Sequence, residues 1–254
     1  MKRAQMYLAF LFVLSMIVVP YKASAFFGLE AGIGYWKQSP SGTLSYKSTD
    51  NLDLKNDMNL GDKSQVFVRV KAELPLVLPN IYFMATPMSF DGSGTLNRDI
   101  TYGGQTFNAT TPIQSKLKMD HYDLALYYPI PALKTATLGM LNVELGLNAR
   151  LINFEGTLSQ GAISASKSLT LLVPMIYAGI QVKPVSALSI EAEGRGITYS
   201  SNHYYDIIGR IKVMLAGPLF IGAGYRSEQI KFDESDVKAD TKFSGPFIEA
   251  GLSF

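Results

Sequence analysis

The sequence predicts an all-β fold, a transmembrane antiparallel up-and-down β-barrel of about ten strands, with eight as the main alternative. Three observations carry that prediction. Apolar residues recur at every second position through most of the chain, the period of a strand with one greasy and one polar face. Hydrophobic residues make up 47% of the 254, yet beyond residue 25 no run approaches the ~18 unbroken apolar residues of a spanning helix. The connections also alternate between short, often proline-bearing turns and long polar loops, the expected asymmetry of a membrane barrel.

Residues 26–36 open the barrel. Leu29, Ala31, Ile33 and Tyr35 share one face, and Glu30, Gly32, Gly34 and Trp36 the other. Residues 37–62 are polar and read as a loop. Residues 63–74 alternate most cleanly, with Val66, Val68, Val70 and Ala72 against Phe67, Arg69, Lys71 and Glu73. A prolyl turn at 75–80 leads to a third strand at 81–90, which carries Pro87 near its upper end. A Gly-rich loop spans 91–115. The fourth strand, 116–128, sets Tyr122, Leu124, Leu126 and Tyr128 against Asp123, Ala125 and Tyr127. The fifth, 138–151, sets Leu141, Val143, Leu145, Leu147 and Ala149 against Asn142, Glu144, Gly146, Asn148 and Arg150.

Residues 153–167 read as a loop. A sixth strand at 168–182 holds Pro174, which cannot donate a ladder hydrogen bond and calls for a bulge or a later start. Strand seven, 188–199, places Glu191, Glu193 and Arg195 on one face. Strand eight, 204–215, opposes Ile207, Gly209, Ile211 and Val213 to Asp206, Arg210 and Lys212. Strand nine, 219–232, opposes Leu219, Ile221, Ala223 and Tyr225 to Gly222, Gly224, Arg226 and Glu228. A charged loop at 233–241 precedes the last strand, whose Ile248, Ala250, Leu252 and Phe254 should lie beside the apolar face of the first. Tyr35, Tyr122, Tyr128, Tyr225 and Phe254 suit interfacial girdles.

With the apolar faces turned to lipid, a balanced set of charges points inward. The acids are Glu30, Glu73, Glu144, Glu191, Glu193, Glu228 and Glu249; the bases are Arg69, Lys71, Arg150, Arg195, Arg210, Lys212 and Arg226. A ten-stranded bore lies near the size that side chains fill. These residues are therefore expected to cross-link and close the lumen, with a narrow charge-selective pore as the alternative.

Residues 1–25 read as a secretory signal peptide. Lys2 and Arg3 supply the positive start, residues 7–19 the apolar middle, and Ala23-Ser24-Ala25 a cleavage site. Residues 26–254 then form one barrel domain. Without Lys2, Arg3 and Lys22 that domain has 20 basic residues against 21 acidic ones, so no charge argument favours nucleic acid. The absence of Cys excludes disulfides and thiolate metal sites.

Enzymatic signatures are sparse. His121 and His203 are the two histidines; both are expected as polar rim or loop residues. A histidine within hydrogen-bond reach of a Ser or carboxylate at the rim would point to catalysis. The loop acids Asp50, Asp53, Asp57 and Asp62 lack EF-hand spacing. No cofactor or metal is expected, and the chain reads as a non-enzyme.

Signal peptide, strand rhythm, loop asymmetry and a final Phe254 together resemble the small Gram-negative outer-membrane β-barrel proteins. The resemblance implies residence in the cell outer membrane, contact with its lipid, and assembly by the barrel-assembly machinery with Phe254 as the signal. It identifies no surface partner. It implies a structural or surface-interaction role, with a narrow solute channel second, and a lipid-modifying enzyme or adhesin working through the external loops third.

Overall fold

The computed structural model describes residues 28–75, 78–234 and 236–254; the expected signal peptide lies outside them. Ten wall strands follow one another in chain order. They are β1 (Gly28–Tyr46), β2 (Lys63–Glu73), β3 (Asn80–Thr86 continued by Ser89–Thr95), β4 (Pro112–Pro129) and β5 (Leu141–Gln160), then β6 (Ile163–Val185), β7 (Leu188–Tyr199), β8 (Asn202–Met214), β9 (Leu219–Glu234) and β10 (Val237–Ser253). Every neighbour is antiparallel, and β10 returns to pair with β1, closing the sheet. The closing register sets Ala31 opposite Leu252, Ile33 opposite Ala250 and Tyr35 opposite Ile248. The two greasy faces therefore meet at the seam as their alternation requires.

Exposure alternates along the strands as the residue pattern does. Ile33, Leu147, Ile176 and Ile248 face outward with 56%, 71%, 66% and 65% of their surface open, while Trp36, Arg69, Arg150 and Tyr177 point inward fully buried. This inverts a water-soluble barrel. A continuous apolar belt of this extent needs a non-aqueous neighbour, and lipid demands the closed sheet that β10 and β1 complete. Inside the seam, the Phe67 ring lies against Gly34, where any β-carbon would collide with it. The glycine makes room for an aromatic from the next strand.

Two expectations about the wall change. Residues 37–46, 153–160, 163–167 and most of 233–241 belong to strands. These segments have polar outer faces, which a lipid-facing criterion reads as loop. Yet β5 and β6 run 20 and 23 residues, about twice the length that crosses a bilayer, so their outer halves stand clear of it. There hydroxyls replace apolar contacts: Thr157 and Ser159 meet Ser166 and Ser164 across the hairpin, each at 2.9 Å. Gly161 turns that hairpin in the left-handed region (φ 59°).

Pro174 causes no bulge either. The β5–β6 register runs unbroken past Pro174 opposite Ala149, and the β6–β7 pairing reaches outward only to Ile176 opposite Gly196. Pro174 thus lies where β6 has become an edge, a position that tolerates a missing donor. The proline that does interrupt a strand is Pro87, between the two segments of β3.

Candidate functional site

The candidate site is the interior of the barrel, where inward side chains meet at two levels. Nearer the end that carries the short turns, the inward positions of six strands converge as ion pairs. Arg69 on β2 donates to Glu30 (2.6 Å) and grips Glu249 through Nε (2.9 Å) and Nη2 (3.0 Å), so one guanidinium bridges the two strands of the seam. Lys212 joins Glu30 (2.6 Å) to Glu191 (2.8 Å). Arg210 reaches Glu193 (3.0 Å) and Glu191 (3.3 Å), and Lys71 meets Glu144 (3.1 Å) and Glu193 (3.5 Å). Tyr177 also donates to Glu144 (2.8 Å).

One layer outward, Arg150 on β5 makes a two-pronged contact with Asp123 on β4 (2.8 and 2.9 Å) and crosses the bore to Asp206 on β8. Arg226 on β9 holds the same Asp206 (2.8 Å) and the neighbouring Glu228, and donates to Thr86 across the bore (2.9 Å). Arg195 lies 3.8 Å from Asp206 and 3.4 Å from Glu193, linking the layers. Aromatic faces take up the remaining cationic surface. Arg226 lies over Trp36 and Arg150 over Tyr204, both at 4.7 Å, and Arg195 and Lys71 lie over Tyr82, both at 4.8 Å. Multiply hydrogen-bonded geometry of this kind is what makes a buried charge tolerable.

Of the fourteen charges expected inside, the structure brings thirteen together. Glu73 stands apart. It is exposed at the turn-side end of β2 and pairs at 3.8 Å with Lys134 in the connection between β4 and β5. Its parity is right but its height is wrong, since it is the last residue of its strand. Asp123 and Asp206 are two further acids in the bore, outside the fourteen expected there although they lie on the inward parity of their strands. Both are buried at the centre of the outer layer.

His121 corrects a further expectation. It is fully buried inside the bore, not at the rim. Its Nδ1 faces the Met119 carbonyl (3.1 Å), and its Nε2 lies 3.2 Å from both Arg226 Nη2 and Glu228 Oε1. A carboxylate is within reach, but solvent at the rim is not. His203 stacks on Tyr205 with ring centroids 5.0 Å apart.

Above the charges the interior turns apolar. The connection between β1 and β2 folds inward and buries Leu52, Leu54, Met58 and Leu60 against Met88, Phe90, Leu117 and Phe243. Its acids fix its shape. Asp53 accepts from the amides of Lys55 (2.9 Å) and Asn56 (2.8 Å), and Asp57 accepts from the Asp53 amide (2.9 Å). Asp50 accepts from Thr101 (2.7 Å) in the hairpin Ile100–Tyr102/Gln105–Phe107, whose neighbour Arg98 lies 3.5 Å from Asp57. No cluster of three or more metal-ligating side chains occurs among the described residues.

No protein-family model matches the chain, and no curated protein matches it. Solved structures do. Ail, the attachment invasion locus protein of Yersinia pestis, crystallised with the heparin analogue sucrose octasulfate, is 12% identical over 90% of this chain and 99% of its own, with a TM-score of 0.41. The translocator domain of autotransporter NalP from Neisseria meningitidis is 9% identical over 99% and 95%, at 0.40. The transport unit of autotransporter AIDA-I from Escherichia coli is 10% identical over 93% of each chain, at 0.40.

Proposed function

We propose that residues 26–254 form an integral barrel of the cell outer membrane that is non-conducting and non-enzymatic. Its work is structural or surface-directed, done by the outer half that stands beyond the lipid. The observation that carries this reading is the double filling of the bore. Ion pairs between Arg150, Asp123, Asp206, Arg226 and Glu228 span it, and Leu52, Leu54 and Met58 of the inward-folded connection lie above them. A conducting filter needs ions to enter and leave its sites. Here every strong site already holds a protein counter-charge.

Two further points support the non-enzymatic part. His121, the histidine beside a carboxylate, is sealed under the apolar layer, and a general base must reach its substrate. His203 is engaged by Tyr205. In this reading residues 1–25 are removed after export, outer-membrane lipid surrounds the belt, and the barrel-assembly machinery inserts the chain with Phe254 as its signal.

The test is single-channel recording of the refolded protein in planar bilayers. No steps above background are expected. Reproducible open levels would overturn the plugged bore and make the protein a narrow solute channel.

A further inference from the structure

The wall carries a notch that the filled bore does not explain. On one side β6 pairs with β5 as far outward as Ile163 opposite Gln160; on the other its pairing with β7 stops at Ile176 opposite Gly196. The β7–β8 hairpin turns back at residues 200–201, while β9 and β10 continue to Glu234 and Val237. A short hairpin therefore stands between two tall ones. Behind it opens a cavity of about 300 Å³, lined by Leu171, Val173, Ile197, Ile230, Phe232 and Ala239 among others.

Three features define what this cavity can hold. Its interior is apolar, although the same inward positions lower on these strands carry Arg195, Asp206, Arg226 and Glu228. Tyr204 divides the two regions. Its hydroxyl donates down to Glu228 (3.1 Å) and its ring packs with Ile152 and Met175 at the cavity floor.

The mouth is continuous with the lipid-facing belt. Leu172, 70% exposed, is a lining residue and also sits opposite Leu151, which the register places beside Tyr122 at the belt's outer edge. His203 and Lys231, paired across β8 and β9, flank that mouth with the polar and cationic groups of the lining. Few polar groups around a well-formed apolar pocket is the usual composition of a ligand site.

We propose that this cavity is a binding site for the alkyl chain of a membrane amphiphile. The chain enters sideways from the outer leaflet over the β7–β8 hairpin and leaves its head group beside His203 and Lys231. An engineered dry cavity of ~150 Å³ accepts benzene, so twice that volume accommodates roughly a dozen carbon atoms of chain. The proposal rests on the membrane placement above but not on the absence of conductance.

The test is photolabelling of the full barrel in phosphatidylglycerol vesicles with a diazirine-bearing palmitic acid, mapped by peptide mass spectrometry. Inward-facing Leu171, Ile197 and Ile230 should be labelled, and excess palmitate should compete the label away. Ala239→Trp, which fills the cavity, should cut that inward label at least tenfold while outward Leu147 and Ile248 keep theirs. Leu169→Trp serves as a second filling variant should the first not fold, folding being read from heat-modifiable migration on gels. Label confined to outward residues, or inward label that neither filling variant reduces, overturns the alkyl site alone. No label at Leu147 and Ile248 overturns the membrane placement together with it.

Discussion

Arg150→Gln is the sharpest test of what holds the bore together. Arg150 is fully buried, and its guanidinium serves Asp123 on the adjacent strand and Asp206 on the far wall. Removing one partner of a buried pair costs about 3–5 kcal/mol, because the charge left behind stays desolvated. The lower end applies here. Asp206 keeps Arg226 at 2.8 Å and Arg195 at 3.8 Å, whereas Asp123 loses its two-pronged partner outright. A loss of about 3 kcal/mol is therefore expected. Urea unfolding in lipid vesicles can report it through Trp36, the single tryptophan, which sits inside the bore against Arg226. The double variant Arg150→Met with Asp123→Leu should recover most of the loss, since apolar replacement of a whole buried pair is often neutral or stabilising. A loss under about 1 kcal/mol for Arg150→Gln, the value of an exposed pair, would refute the reasoning by showing the outer charge layer to be solvated.

Other substitutions separate height from parity. Glu249→Gln should cost about 3 kcal/mol, since Glu249 is buried against Arg69. Glu73→Gln, equally inward by parity but exposed at the turn, should change stability by less than about 0.5 kcal/mol in the same unfolding assay. Leu147→Arg, on the outward face of β5, should cost about 2–4 kcal/mol in vesicles if that position lies near the bilayer centre. An unchanged midpoint would remove the belt from the lipid. Phe254→Ala keeps the backbone N–H hydrogen bond to the Leu29 carbonyl (2.8 Å), so any loss of the heat-modifiable form from isolated outer membranes would report the side chain as the assembly signal.

Period-two patterning carries one bit per residue, inward or outward, and that bit was legible almost throughout. The seam shows it most clearly: Ile33, Tyr35, Ala250 and Ile248 were assignable to one face before any pairing was known, and the register joins them. What the pattern lacks is height along the barrel axis. Glu73 and Glu249 share an inward parity, yet one ends in water at a turn and the other inside an ion-pair layer. Polar strand and polar loop also look alike once a segment leaves the lipid, which is why Thr157, Ser159, Ser164 and Ser166 read as a loop though their hydroxyls pair across a hairpin. The apolar layer was hidden for the complementary reason. Leu52, Leu54, Met58 and Leu60 sit at mutual spacings of two and four among Asp, Asn and Lys, too sparse for a strand or a helix, and only an inward fold of the whole connection gives them a common neighbour. The division of the interior into a charged half and an apolar half therefore comes from where inward residues stand on strands of unequal length. The short β7–β8 hairpin between two tall neighbours is the feature that turns such a boundary into an opening at the belt's edge.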